Sequence, residues 1–292
     1  MSAETMVLAV KLTLLAGIML TVVAVGLKAT WGDPTSLFRH PSLLIRSMLA
    51  MSVLTPIVAC VMAAVFHLHP AVRIALVTLA VSPVPPFLPM KEATAGGQSS
   101  YIIGLLFATG LLAIVFIPLT LVVLAHFVDI ELDISMAKVA STVTMTVLVP
   151  LLIGIGVRAA VGDRAERLVR PTGIVAAVLL ILGLLAVLVA VGPGMWALVG
   201  NGTLAAMAVY AIIALGIGHV LGGPLPGNRA TLGLSAATRH PGVALAIASA
   251  NFPDQTLALP AILLFAIVGA VVSAPYVKWA RRNPFAAARG AR

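Results

Sequence analysis

Apolar runs of roughly twenty residues, set apart by short polar or basic stretches, recur along the whole chain. A helix rising 1.5 Å per residue needs about 20 apolar residues to cross a hydrocarbon core of roughly 30 Å, so each run predicts a membrane-spanning helix. The pattern predicts nine spans, at about 6–28, 42–66, 73–90, 99–126, 136–161, 171–191, 196–222, 229–251 and 256–280. A membrane barrel needs segments of about ten residues with alternating polarity, which these long runs of Leu, Ala, Val and Gly do not show. The expected fold class is therefore an all-α integral membrane protein with nine transmembrane helices.

Two of the runs are broken from within. The third ends in Ser82-Pro83-Val84-Pro85-Pro86-Phe87-Leu88-Pro89, where the prolines Pro83, Pro85, Pro86 and Pro89 cannot form a regular helix. The eighth carries Arg239-His240-Pro241 inside an apolar stretch. An arginine at membrane depth costs roughly 2.5–3.5 kcal/mol on insertion scales and usually faces a cavity or other protein. Arg239 lies eight residues past Thr231, about 12 Å of helix, which is further than a side chain comfortably snorkels. Broken backbone at that depth is tolerated only where it is buried in protein or lines a cavity, as in the discontinuous helices of transporters. Pro83 precedes Pro118 by 35 residues and Pro241 precedes Pro275 by 34. Spans two to four thus match spans seven to nine, and because the two sets start on opposite sides of the membrane the repeat is expected to be inverted, with two broken helices crossing.

Composition agrees with the pattern. With 61% hydrophobic and 9% charged residues the chain lacks the polar surface of a soluble globule. Its net charge of +9 is spread over short loops and a basic tail, which speaks for membrane orientation and not for nucleic acid. Basic loops alternate with neutral or acidic ones such as the stretch holding Asp129, Glu131 and Asp133. The positive-inside rule then places the N-terminus outside and the C-terminus in the cytoplasm of a plasma or inner membrane. Trp31, Trp196 and Trp279 fall at span ends, where indoles favour the headgroup region. The first run lacks a basic leader and a small-residue cleavage site, so it reads as a retained span. The single cysteine, Cys60, reads as packing. Asn201-Gly202-Thr203 has the form of a glycosylation sequon but opens a span.

The stretches LFRHPSLLIRSMLAMSVLTP, AVRIALVTLAVSPVPP and GLLFATGLLAIVFIPL, with ATRHPGVALAIASANFP further on, resemble the bile acid:sodium symporter family of the bile acid/arsenite/riboflavin transporter superfamily. The resemblance implies a core domain of spans two to four and seven to nine, and a panel of spans one, five and six, with a substrate cleft between them. In chain order these are residues 1–41 (panel span and linker), 42–126 (first core repeat), 127–195 (panel), 196–282 (second core repeat) and 283–292 (basic cytoplasmic tail). It also implies a set of sodium ligands, and here the chain departs from the pattern. The ligand positions fall on Leu88, Pro89, Ile102, Leu106, Met51, Ser235, Arg239 and His240. Sodium, like other hard cations, wants several oxygen ligands. The resemblance therefore carries the fold and makes sodium possible as a coupling ion, while most of its ligand residues are not retained.

The candidate substrate-binding residues are Arg239, His240, Ser235, Thr238, Glu92, Lys91, Ser99 and Ser100, with Thr94 and Gln98 beside them. Glu92 is the one acidic residue near a crossover and is expected to pair with Arg239 or Lys91, or else to sit in a solvated inner loop. His126 and His219 lie at span ends and read as interfacial. Neither a zinc-protease motif nor paired intramembrane aspartates occur, so no catalytic residue and no metal are expected. The expected function is secondary transport of a small organic anion or amphipathic carboxylate by alternating access, with weak or no sodium coupling. A proton-coupled exporter using Glu92 or His240, and a non-transporting membrane receptor or scaffold, are the alternatives. The expected partners are the anion and the lipid bilayer, and no oligomeric state is implied. Arg239 is expected to stand as a built-in cation where related carriers bind sodium, anchoring a carboxylate or held by freed carbonyls.

Overall fold

The computed structural model describes residues 3–128 and 136–282. The acidic stretch 129–133 and the basic tail 283–292 lie outside the described residues, as does the side chain of His126. The described chain is helical throughout, with no strand. In order the helices are α1 (Ala3–Gly26), α2 (Asp33–Ser36), α3 (Pro41–Met48), α4 (Thr55–Val65), α5 (Pro70–Val81), α6 (Leu88–Thr94), α7 (Ser99–Val128), α8 (Met136–Val143), α9 (Val149–Val161), α10 (Glu166–Ala197), α11 (Thr203–Leu221), α12 (Pro226–Ala237), α13 (Pro241–Asn251) and α14 (Ala258–Arg282). Six stretches are long and apolar enough to cross a membrane: Thr5–Gly26, Pro41–Val65, Ser99–Val123, Ala140–Ala197, Thr203–Leu221 and Ala258–Arg282. With so much apolar surface turned outward, the chain is a multi-pass membrane protein.

Proline decides where helices begin and bend. Pro41, Pro70, Pro226 and Pro241 open α3, α5, α12 and α13, where the missing N–H costs nothing and φ is already helical. Inside a span the same residue forces a detour. Pro56 would press on the carbonyl four residues back in a regular helix, and π-helical turns at Leu49–Leu54 join α3 to α4 just ahead of it. Pro150 does the same after Thr144–Leu148, between α8 and α9. In both cases the residue before the proline donates five residues back: Thr55 to Ala50 and Val149 to Thr144.

The expected third and eighth runs are each split. α5 ends at Val81 and α6 starts at Leu88, and α12 ends at Ala237 with α13 starting at Pro241. The sixth and seventh runs differ from expectation in extent. α10 is one 32-residue helix from Glu166 to Ala197, and α11 begins only at Thr203. Gly200, Asn201 and Gly202 all take positive φ, which ends the preceding helix and puts the sequon in a turn.

Close helix contacts run over glycine. α1 crosses α9 where a Cβ on Gly154 would lie 2.4 Å from the Val23 carbonyl and one on Gly26 would lie 2.5 Å from that of Leu151. α1 also packs on α10, while α5 packs on α4, α13 and α14, and α11 on α12 and α14. In lipid such close approach replaces the hydrophobic drive between helices. Gly154→Ala is expected to lower the stability of the solubilised protein by about 1–3 kcal/mol through overpacking. Gly156→Ala, where nothing lies within 4 Å, should leave the melting temperature unchanged.

Candidate functional site

The two breaks meet. The backbone N–H of His240 donates to the carbonyl of Pro83 at 3.0 Å, tying the interruption between α12 and α13 to the one between α5 and α6. Arg239 lies at this junction and is 4% exposed. Its guanidinium donates to three backbone carbonyls: Nε to Ala236 at 3.2 Å, Nη1 to Ser82 at 2.9 Å and Nη2 to Met51 at 2.6 Å. Nη2 also donates to the Thr55 hydroxyl. Four of the five guanidinium N–H groups are thereby spoken for.

Each of those carbonyls lacks its usual backbone donor, and a proline stands at or next to each missing donor position. In the π-helical segment Met51 would pair with residue 56, which is proline, while the Thr55 N–H goes to Ala50 and the Thr55 hydroxyl donates to the Met51 carbonyl at 3.0 Å. The Ser82 carbonyl would accept from residue 85 or 86, and both are proline. Ala236 would accept from His240, whose N–H has gone to Pro83, or from residue 241, again proline. A buried carbonyl without a donor is costly, as is a buried charge without acceptors. Arg239 and the three carbonyls offset each other's cost.

The stretch through the second break is extended, with Thr238 at φ −119, ψ 122 and His240 at φ −73, ψ 104. Side chains alternate across extended backbone, so Thr238 and His240 share a face opposite to Arg239. Thr238 Oγ1 and His240 Nε2 are buried without a hydrogen-bond partner among the described residues. His240 Nδ1 caps α13 by accepting from the Val243 N–H at 3.3 Å, which assigns the proton of a neutral ring to Nε2 as an unused donor. A cavity of about 20 Å³, room for a single water, lies against Arg239, Ser52, Ser82 and Thr109.

The remaining candidates fall in different places. Glu92, on α6 and 1% exposed, accepts from the Ser235 hydroxyl one turn before the break. It does not pair with Arg239 or Lys91: among the described residues the one ion pair is Arg158–Asp163 at 3.4 Å. Pairing lost because the freed carbonyls already hold the guanidinium. Nor is Glu92 in a solvated loop. Lys91 donates to Ser273 on α14 at 2.5 Å. Ser99 and Ser100 are exposed at the start of α7, with the Ser100 carbonyl accepting from Ser36 at 2.7 Å. Thr94 and Gln98 are exposed too, and His219 contacts Tyr276 at 2.7 Å. Thr55 and the Met51 carbonyl were not among the expected site residues. The Thr-Pro step at 55–56 inside an apolar run was the available signal.

Sodium does not fit the positions implied for it. Leu88, Ile102 and Leu106 are buried hydrocarbon, Pro89 offers no side-chain oxygen, Ser235 is engaged by Glu92, and the Met51 carbonyl is on Arg239.

A multi-pass helical membrane protein with two interrupted helices joined at a buried charge has the architecture of a carrier. The family model described as "Sodium Bile acid symporter family" matches residues 13–194, more than half of the chain, and the chain belongs to that family. It is thus a membrane transporter and not an enzyme, moving a small molecule across a lipid bilayer. The match stops before α12 and α13, so the Arg239 break lies beyond it. No curated protein matches the chain.

Removing the guanidinium leaves the buried Ser82 and Ala236 carbonyls without a donor, while the Met51 carbonyl keeps the Thr55 hydroxyl at 3.0 Å. Arg239→Gln is expected to lower stability by about 3–5 kcal/mol, read as a loss of melting temperature in detergent, and Arg239→Lys by less because one or two bonds survive. A Gln variant as stable as the parent would show that the carbonyls find other donors.

Proposed function

We propose that the protein is a secondary transporter of a small organic anion or amphipathic carboxylate, working by alternating access without sodium. The observation that carries this reading is the guanidinium held by carbonyls at the junction of the two broken helices. A permanent cation there does structurally what a bound ion would do elsewhere, and it never dissociates. Arg239 has no carboxylate partner among the described residues, so its charge leaves the crossing electropositive. The N-terminus of α13 adds a helix-dipole contribution of the same sign. The family's printed name joins the carriers to a bile acid, an amphipathic carboxylate.

In this reading the substrate is met by Thr238 and His240, whose polar atoms are buried and unpartnered, while Arg239 faces the carbonyls and acts through its field. The division follows from the alternation of side chains along the extended stretch. Ser235, Glu92 and Lys91 sit behind the break as support, and Ser99 and Ser100 lie at an exposed rim. Nine membrane passes follow if each interrupted pair, α5 with α6 and α12 with α13, makes one crossing and Ala140–Ala197 makes two. The two interrupted passes then belong to inverted repeats, at 42–126 and 196–282, moving against a panel made from residues 1–41 and 127–195. The charge pattern supports an N-terminus outside and a C-terminus, with its tail at 283–292, inside a plasma or inner membrane.

One observation favours a second reading. Glu92 is buried with a hydroxyl and no cation for partner, which suits a site that binds and releases a proton during transport.

Uptake into proteoliposomes tests the proposal, with a radiolabelled bile acid and a set of small monocarboxylates as probes. Replacing sodium by choline is expected to change the rate less than twofold, and a steep sodium requirement would refute the reading. Thr238→Val and His240→Leu should each raise the KM about tenfold, roughly the value of one lost hydrogen bond to a charged group, with the melting temperature kept in the Thr238 variant and lowered in the His240 variant, which also loses the cap of α13. If proton coupling holds, Glu92→Gln keeps substrate exchange but abolishes accumulation driven by a pH gradient.

A further inference from the structure

Around the turn between α11 and α12, beside the last turn of α3 and the end of α14, two guanidinium groups converge on a glycine pair. Arg229 donates through Nε to the Gly223 carbonyl at 2.6 Å, leaving its two terminal nitrogens without a partner among the described residues. Arg46, exposed in the last turn of α3, reaches the same turn: a Cβ added to Gly223 would lie 3.4 Å from its Nη1. Gly223 has φ +81, a backbone conformation that disfavours any side chain and so keeps this space open. Next door, a Cβ on Gly222 would run into the Arg229 backbone at 2.4 Å, so the turn is pressed against the start of α12. Neither arginine meets a carboxylate among the described residues. Two like charges brought together without a counter-ion call for an anion between them.

The walls of this place indicate which anion. His219, Tyr276 and Trp279 form a three-ring cluster with centroids 5.6 to 5.7 Å apart. Tyr276 donates to the Arg229 carbonyl at 3.3 Å, which joins the rings to the basic turn. Trp279 is 51% exposed, and indole rings at helix ends sit at headgroup depth. Lys278, Arg281 and Arg282 follow on the last turns of α14. A guanidinium fork matches a phosphate oxygen pair, and basic pockets between helix ends hold anionic headgroups. We infer that Arg46 and Arg229 form a binding site for the phosphate of an anionic phospholipid, with its acyl chains running down the outer face of α11 and α14. This surface is separate from the crossing and from the carried anion.

The test uses the full-length protein with Trp31→Phe and Trp196→Phe, which leaves Trp279 as the reporter among the chain's 3 tryptophans. It is titrated in detergent with phosphatidylglycerol brominated on its acyl chains, and with the matching brominated phosphatidylcholine. Saturable quenching by phosphatidylglycerol is expected, weakened about fivefold by Arg46→Gln, the loss of roughly one basic contact. Arg39→Gln removes an exposed charge outside the pocket and should leave binding unchanged. Inorganic phosphate at the same concentration should not displace the lipid. Equal quenching by phosphatidylcholine overturns the proposal. So does equal weakening by Arg39→Gln and Arg46→Gln, which would mean diffuse attraction, and so does displacement by inorganic phosphate, which would mean a site for the free ion.

Discussion

The structure depends on one exchange between a charge and a set of broken helices. Prolines at 56, 85, 86 and 241 stand at or next to the missing donor positions of carbonyls in three separate segments, and the Arg239 guanidinium supplies donors to all three. Neither half would be stable at membrane depth alone. An unpaired backbone carbonyl in an apolar surround costs several kcal/mol, and an uncompensated guanidinium costs more. Together they form a cross-link between the π-helical turn ahead of α4, the end of α5 and the end of α12. The Pro83–His240 backbone bond then locks the two interruptions in register.

Much of this was legible from the chain. Proline has two fixed consequences, a missing N–H and a constrained φ, so the interruptions near Pro83 and Pro241 followed from chemistry that no tertiary context can undo. The apolar run lengths anticipated the long helices, since a bilayer leaves little choice of element. What remained hidden was partnership. Glu92 and Arg239 were the evident opposite charges, yet carbonyl oxygens, which belong to every residue and leave no mark in a sequence, took the guanidinium first. The π-helical turns were hidden for a related reason. A proline announces that a hydrogen bond is lost, but whether the helix kinks, ends or widens by one residue depends on the neighbours that receive the freed carbonyl. The late start of α11 followed from three successive positive-φ residues, of which only the two glycines were suggestive beforehand.

The fivefold donor set of arginine explains why this residue and not lysine stands at the junction. Ser82, Ala236 and Met51 lie in different directions from the side chain's end, and a planar fork with fixed donors reaches all three while keeping its charge at any physiological pH. A lysine ammonium carries three donors on one atom and holds its hydration more tightly. Replacing an exchangeable ion by such a group changes the energetics of the whole site. A bound ion assembles the crossing only when its concentration is high enough, and its departure loosens the crossing again. A tethered guanidinium acts at a high effective concentration that does not vary with the solution, so in the proposed carrier the crossing needs no ion from solution to assemble.

A crossing assembled without an exchangeable ion limits how a carrier of the proposed kind does work. The free energy that an ion gradient would contribute is unavailable to a charge that cannot leave, and a ligand shifts a two-state equilibrium only by its differential affinity for the two states. The anion's own gradient then drives net movement, unless another group exchanges with solvent between the states. Glu92 is the one buried carboxylate among the described residues, and its partner Ser235 lies on the last turn of α12, four residues ahead of Arg239 in the break. Motion of α12 relative to α6 would part the serine from the carboxylate, so proton binding at Glu92 and the position of the Arg239 junction are mechanically joined through a single helical turn. In the proposed carrier that turn is where any coupling must reside, with Arg239 as the fixed pivot and Glu92 as the group free to change its state.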